Sequence, residues 1–193
     1  MLVIVLCSYL SVAEPIDILP VREPVQITAE NVHHFQLNQY SDLSKLPEYL
    51  ERYPHLKGLD KAIIDAQDTY EVNGIFLLAI IRLESGNGTS RLAKKQNNLA
   101  GIKRSKHSYR SFASKEECIY YTADLLHRQY LTEGGRYYYG KTVRGVNIKY
   151  CSSFTWAKKI EILMVEIQRE LNNLQYQYSE NSWEYQGCKI EEV

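Results

Sequence analysis

The sequence predicts a mainly α protein, an α+β chain with one small β-hairpin, and three observations carry that reading. Apolar residues recur at three- and four-residue spacing over most of the stretch from Thr28 to Tyr176. Only between Asn97 and Phe112 does this rhythm give way, to two short extended runs flanking a polar turn, Arg104 to Ser108. One segment, Ile75 to Ile81, is apolar on every side, which marks a central, buried helix.

The elements follow in order. Residues 1–13 hold a short apolar run closed by Ser11-Val12-Ala13, the small-residue pattern of a signal peptide, with Glu14-Pro15 opening the mature chain. Pro15, Pro20 and Pro24 make 14–27 an extended arm. Thr28 is the expected N-cap of a first helix, with Val32, His34 and Phe35 facing inward. A second helix is expected near Leu43 to Tyr53, and a third from about Leu59 to Tyr70, where Leu59, Ala62, Ile63, Ala66 and Tyr70 share one face. Asn73 caps the apolar helix that ends at Glu84. After the hairpin, Ser114 and Glu117 form a capping box opening a helix to about Tyr130. A Gly134-Gly135 loop, the Tyr137 to Tyr139 cluster and a helical turn from Thr142 to Asn147 lead to Tyr150. The last long helix carries Trp156, Ile160, Leu163, Ile167, Leu171 and Leu174 on one stripe. The domain thus spans 28–176, and 177–193 form a polar tail expected to fray.

Composition narrows the function. At 193 residues the chain has room for one domain with a sizeable core. Its 23 Lys and Arg balance 23 Asp and Glu, so nothing points to nucleic acid, which calls for a basic surplus. Sixteen tyrosines and two tryptophans suit a carbohydrate partner, since aromatic faces pack on sugar rings; the plainer reading puts most of these tyrosines at the core margin. No later segment is long enough to span a bilayer. Cys7, Cys118, Cys151 and Cys188 lack Cys-x-x-Cys spacing, and the five histidines lack ligand spacing, so neither a metal nor a cofactor is expected. Cys118 reads as a small core residue.

Glu84 is the residue with chemistry attached. It ends the apolar helix and is followed by Ser85-Gly86-Asn87-Gly88-Thr89-Ser90. A carboxyl buried there, at the negative end of a helix dipole, is expected to have a raised pKa and to stay protonated, as a general acid for glycoside cleavage requires. The second carboxylate is harder to find: no Asp or Glu stands between Glu84 and Ser114, and Glu116 and Glu117 are the first available. Glu117 also has a plain task at the third position of its helix, and Glu116 a plain place in solvent.

The residues then carry a closer match. Glu84-Ser85-Gly86-Asn87-Gly88-Thr89-Ser90, Ala93 and Asn97-Asn98-Leu99-Ala100-Gly101-Ile102-Lys103 resemble the bacterial endo-β-N-acetylglucosaminidases of glycoside hydrolase family 73. The likeness continues in Tyr109-x-x-Phe112, in the helix opening at Ser114, and at Tyr150 with Trp156-Ala157-x-Lys159-Ile160, so that it covers roughly residues 40 to 175. The resemblance implies a lysozyme-like helical domain whose hairpin lobe flanks a cleft, and hydrolysis of the β-1,4 bond after N-acetylglucosamine in peptidoglycan. It implies Glu84 as general acid and Tyr150 as a tyrosine of the cleft floor, orienting the N-acetyl group or stabilising positive charge at the sugar. Ser85, Asn98, Gly101, Tyr109, Phe112 and Tyr138 are the expected substrate-binding residues. With Glu116 and Glu117 the only candidates for a base, catalysis assisted by the sugar's own acetamido oxygen is the alternative.

Two departures from the family pattern stand out: Asn87 where Trp is frequent, and Ala100 where an aromatic is common. Both predict a more open cleft, with stacking passed to Tyr109, Phe112 or the Tyr137 to Tyr139 cluster. A lytic transglycosylase, a muramidase-type enzyme and a non-catalytic glycan-binding or virion module are the rival readings. The expected setting is a monomer, secreted or associated with the cell wall, or delivered by a phage.

Overall fold

The structure, a computed structural model, describes residues 22–184, and the side chains of 22–177. The proposed signal peptide, Cys7 and Cys188 lie outside the described residues. Seven α-helices and one two-stranded antiparallel sheet form the described part: α1 Leu46–Leu50, α2 Asp60–Tyr70, α3 Gly74–Ser85, α4 Arg91–Gln96, β1 Lys103–Ser105, β2 Ser108–Tyr109, α5 Lys115–Leu126, α6 Val143–Tyr150 and α7 Thr155–Glu184. A π-helical turn, His127–Leu131, continues α5.

Helix α3 is the axis of the fold. Gly74 through Arg82 are all buried, so this helix has no solvent face until its last turn. It packs on α7 and α2; α2 in turn packs on α5, and α6 on α7. The start of α3 is fixed by Asn73, whose Oδ1 accepts the Phe76 N–H at 2.9 Å while its amide donates to Ser41 Oγ at 2.7 Å and to the Gln39 carbonyl. Burying an apolar helix of this kind supplies most of its stability, because isolated helices of this length are marginal in water.

Several expected elements take a different form. No helix begins at Thr28. Thr28 and Asn31 bond reciprocally through side chain and backbone, and residues 29–34 form turns, consistent with the low helix propensity of Asn and the paired histidines. Val32 and Phe35 are buried as expected, whereas His34 is exposed. The second helix shrinks to α1, with Pro47 in its first turn, although Leu43, Leu46, Tyr49 and Leu50 are all buried. Helix α4 had no expectation at all; Ser90 caps it by accepting the Ala93 N–H. Tyr150 is the final residue of α6 rather than a loop residue after it. Helix α7 continues to Glu184, past the point where fraying was expected.

The arm residues 22–27 have no regular structure, yet they are docked. Ile27 is buried, its N–H donates to Gln168 Oε1 on α7, and the Val25 N–H donates to the Tyr40 carbonyl. Among the described residues, no helix is long and apolar enough to cross a membrane.

Candidate active site

Glu84 is exposed, not buried as the sequence predicts. Glu84 follows Ile80 and Ile81 on the same face, one turn further on, where α3 leaves the core and Gly86 is about to end it. Its place at the C-terminal turn is as expected; its burial is not. Gly86 ends the helix in the left-handed conformation at φ 57°. Ser85 then pins the returning loop: its hydroxyl donates to the Ile81 carbonyl at 2.6 Å and accepts the Gly88 N–H at 2.7 Å. On the inner side of the same turn, Arg82 donates to Asn87 Oδ1 at 2.9 Å and to Tyr49 Oη at 2.5 Å, and pairs with Glu166 at 3.2 Å.

Two groups from distant parts of the chain meet at the Glu84 carboxyl, and a third stands behind them. Trp156, in the first turn of α7, donates its indole N–H to Glu84 Oε1 at 2.8 Å. Gly101, before the hairpin, holds φ at +65°, and a Cβ placed on it would lie 3.6 Å from Glu84 Oε2. Tyr150 stands behind Trp156, their rings 5.0 Å apart, with Tyr130 edge-on to Tyr150 at 5.7 Å. Burial, and then the Glu84 charge, push the Tyr150 phenol well above the ordinary tyrosine value, so it is a neutral hydroxyl at physiological pH. That hydroxyl also makes a long 3.5 Å contact with the Ala100 carbonyl. Cys118 supports the same segment from below, accepting the Leu99 N–H at 3.3 Å from a fully buried position.

Trp156 is the site residue that sequence reasoning missed. It reads as a core aromatic on the α7 stripe, and it is indeed buried; its N–H at the end of the apolar ring was the available signal, since a buried indole needs an acceptor.

Three expected substrate contacts are corrected to structural roles. Ser85 and Asn98 are buried. Asn98 is a clamp for the root of the hairpin: it donates to the Ile102 and Arg110 carbonyls, each at 2.8 Å, and accepts the Ile102 N–H at 2.9 Å. Phe112 is buried against Tyr121, with ring centroids 5.5 Å apart, so its face is closed to a sugar. Tyr109 on β2 remains exposed, and Tyr138 half-buried.

Of the two candidate bases, Glu117 is engaged in capping. Its N–H donates to Ser114 Oγ at 3.1 Å, and its carboxylate accepts the Ala113 N–H at 2.6 Å. Glu116 is exposed at the start of α5, where bonding to its own backbone amide, helped by Ser114, holds its carboxyl below the usual glutamate range. Glu84 is the one carboxylate among the main groups raising the Tyr150 value. Among the described residues, no cluster of three His, Cys, Asp or Glu side chains is placed to hold a metal ion. A cavity of about 640 Å³ runs along α6, the following loop and α7, and is lined by neither Glu84 nor Tyr150.

Comparison with known proteins places this arrangement in a family. Residues 60–169, more than half of the chain, match the glucosaminidase model, described as mannosyl-glycoprotein endo-β-N-acetylglucosaminidase. Over 111 residues, 55% of the chain, the sequence is 31% identical to two Streptococcus pneumoniae proteins named "Putative endo-beta-N-acetylglucosaminidase". The chain spans only 17% and 16% of the length of those relatives. The fold is shared with Staphylococcus aureus autolysin E. A catalytic mutant of that protein in complex with the disaccharide NAG-NAM aligns at a TM-score of 0.61, with 23% identity and 73% of each chain covered. Its complex with the muropeptide NAM-L-Ala-D-iGlu aligns at 0.61 with 24% identity over 73% of each chain. The fold is thus the lysozyme-like one expected, mainly α with a small hairpin, and the chain belongs to the glucosaminidase family, glycoside hydrolase family 73.

Proposed function

We propose that this chain cleaves the β-1,4 bond after N-acetylglucosamine in peptidoglycan glycan strands, with Glu84 as the general acid. The observation that carries the reading is the geometry around the Glu84 carboxyl. A carboxylic acid accepts a hydrogen bond at its carbonyl oxygen and gives its proton from the other. Trp156 can only donate, so it holds Oε1 as the acceptor and leaves Oε2, beside Gly101, as the oxygen placed to give a proton to the substrate. The flank of Gly101, which has no side chain, lets a glycosidic oxygen approach Oε2. The neutral Tyr150 hydroxyl next to it serves to orient the acetamido group or to favour positive charge at the anomeric carbon.

With Glu117 occupied in its cap and Glu116 at the outer start of α5, the reading that fits is attack by the substrate's own acetamido oxygen. As the acetamido oxygen bonds to the anomeric carbon, the bond from that carbon to the glycosidic oxygen breaks, and the departing oxygen takes the proton of Glu84. Water, deprotonated by the Glu84 carboxylate, then opens the resulting ring and restores the acid. An exposed carboxyl, open to long strands, suits cutting within a polymer, and a protein with this activity works as a monomer outside the cell, at the wall.

Clearing of purified cell walls followed by mass spectrometry of the products tests the assignment. Wild-type protein yields reducing N-acetylglucosamine ends and Glu84→Gln yields none; lysis retained by Glu84→Gln removes the central claim, and anhydro-muramoyl ends assign the chain to transglycosylation. Strands with the acetamido group removed are expected to resist cleavage, and normal turnover of them excludes the assisted route.

A further inference from the structure

The balance of charge over the whole chain hides a strong local imbalance. Between Ser85 and Ala113 there are seven Lys or Arg and no Asp or Glu, in a protein of zero formal net charge. This stretch is the loop after Glu84, α4 and the hairpin. Among the described residues there are nine ion pairs, and none of these seven cations belongs to any of them. Lys103, Arg104 and Lys106 are exposed on the hairpin. Arg104 and Arg110, with Tyr109 and Ser111, line a concavity of about 320 Å³ that has no acidic wall. Arg110 is held in place there by stacking on the Tyr121 ring, its guanidinium carbon 4.4 Å from the centroid.

Unpaired cations crowded on one lobe repel each other, a cost that a bound anion removes. The position decides which anion. The charged hairpin begins two residues after Gly101, and Gly101 flanks the Glu84 carboxyl. A glycan strand presented to Glu84 therefore passes the root of this lobe, and whatever branches from the strand falls within its reach. The branches of peptidoglycan are short peptides ending in carboxylates, and two arginines flanking a tyrosine suit forked recognition of such groups.

We propose that the hairpin lobe is a specificity surface for the carboxylates of the peptide branches, with Arg104 and Lys106 as exposed contacts and Arg110 as the fixed one. The proposal rests on the reading of the substrate as peptidoglycan, and binding rather than cleavage separates the two.

The test uses the full chain with Glu84→Gln, so that strands stay intact, and measures co-sedimentation with insoluble glycan freed of phosphate-bearing polymers. One preparation keeps its peptide branches and the other has lost them to an amidase. The expected result is binding about tenfold tighter to the branched strands. That preference should disappear when Arg104→Gln and Lys106→Gln are added, and in about 1 M salt, where the screening length is about 3 Å. Because both side chains are exposed, an unchanged melting temperature is expected, and the salt titration reads the same contact without any variant. Equal binding of both preparations overturns the proposal. So does a preference untouched by the two substitutions and by salt, or tight binding only to walls that retain phosphodiester polymers. Absence of glucosaminidase products from the wild-type protein counts against the assigned reaction and leaves the binding comparison intact.

Discussion

Trp156→Phe is the perturbation that best isolates the chemistry. Phenylalanine keeps a ring against Tyr150, where the Trp156 ring sits at 5.0 Å, and removes only the N–H that reaches Glu84 Oε1 at 2.8 Å. A hydrogen bond to a carboxyl group of this length contributes about 1.5–3 kcal/mol. Part of that is lost to water, which can reach the exposed carboxyl, so the lower end applies and kcat should fall by about tenfold to thirtyfold. KM should hardly move, because Trp156 is buried and touches the acid rather than the sugar. Reducing-end release from purified walls gives both constants. A purely structural tryptophan would lower the melting temperature and leave kcat per folded molecule unchanged. Wild-type kcat in Trp156→Phe therefore refutes the idea that the indole aims the acid. A rise in KM with constant kcat refutes it too, by placing Trp156 among the groups that bind substrate.

Three further outcomes follow from particular contacts. Gly101→Ala sets a methyl group 3.6 Å from Glu84 Oε2 on a backbone at φ +65°, so activity on walls should drop at least tenfold for a stability loss of about 1–2 kcal/mol, read by denaturant titration. Ser114→Ala removes the oxygen that accepts the Glu117 N–H at 3.1 Å and should cost about 1 kcal/mol of stability with unchanged kcat; a loss of turnover instead would give the Glu117 end of α5 a part in the chemistry. Burial, with the neighbouring Tyr137, pushes the Tyr130 phenol to about 12, above the value near 10 expected in the unfolded chain. The folded state thus keeps a proton that the unfolded state releases: this stability is complete below pH 10 and lost as pH rises to 12, by about 3 kcal/mol. Thermal melts across that window should fall less steeply for Tyr130→Phe, and parallel curves would count against the assignment.

The sequence showed most of the helices because their burial is periodic, and it singled out Glu84 as a candidate because that residue closes the most apolar of them. What it concealed arises from where α3 leaves the core and from distance along the chain. A run as apolar as Ile75–Ile81 does not show the turn at which its helix emerges. Ser85 stays in the interior, and Glu84, one turn beyond Ile80 and Ile81, reaches the surface. Trp156 lies 72 positions from Glu84, and an indole on a core stripe looks the same in sequence whether or not its N–H has found a carboxyl. Thr28 does cap a turn, its hydroxyl accepting the Asn31 N–H and its carbonyl the Val32 N–H, but the turn does not continue into a helix, which the cap alone does not decide. The short helix α4 lacked the length over which periodicity becomes visible.

These corrections bear on the role proposed for Glu84. Its side chain is exposed, so what the surroundings supply is direction. Trp156 occupies one oxygen, Gly101 clears the approach to the other, and Asn98 fixes the hairpin root that carries Gly101. Each of the three contributes geometry, and the unpaired positive charge of the hairpin is left for the recognition proposed above. A site arranged in this way depends on the precision of its supports. Disturbing Asn98, whose three hydrogen bonds join both ends of the hairpin, should therefore damage catalysis and the preference for branched strands together, although Asn98 is buried and touches neither the acid nor the peptide.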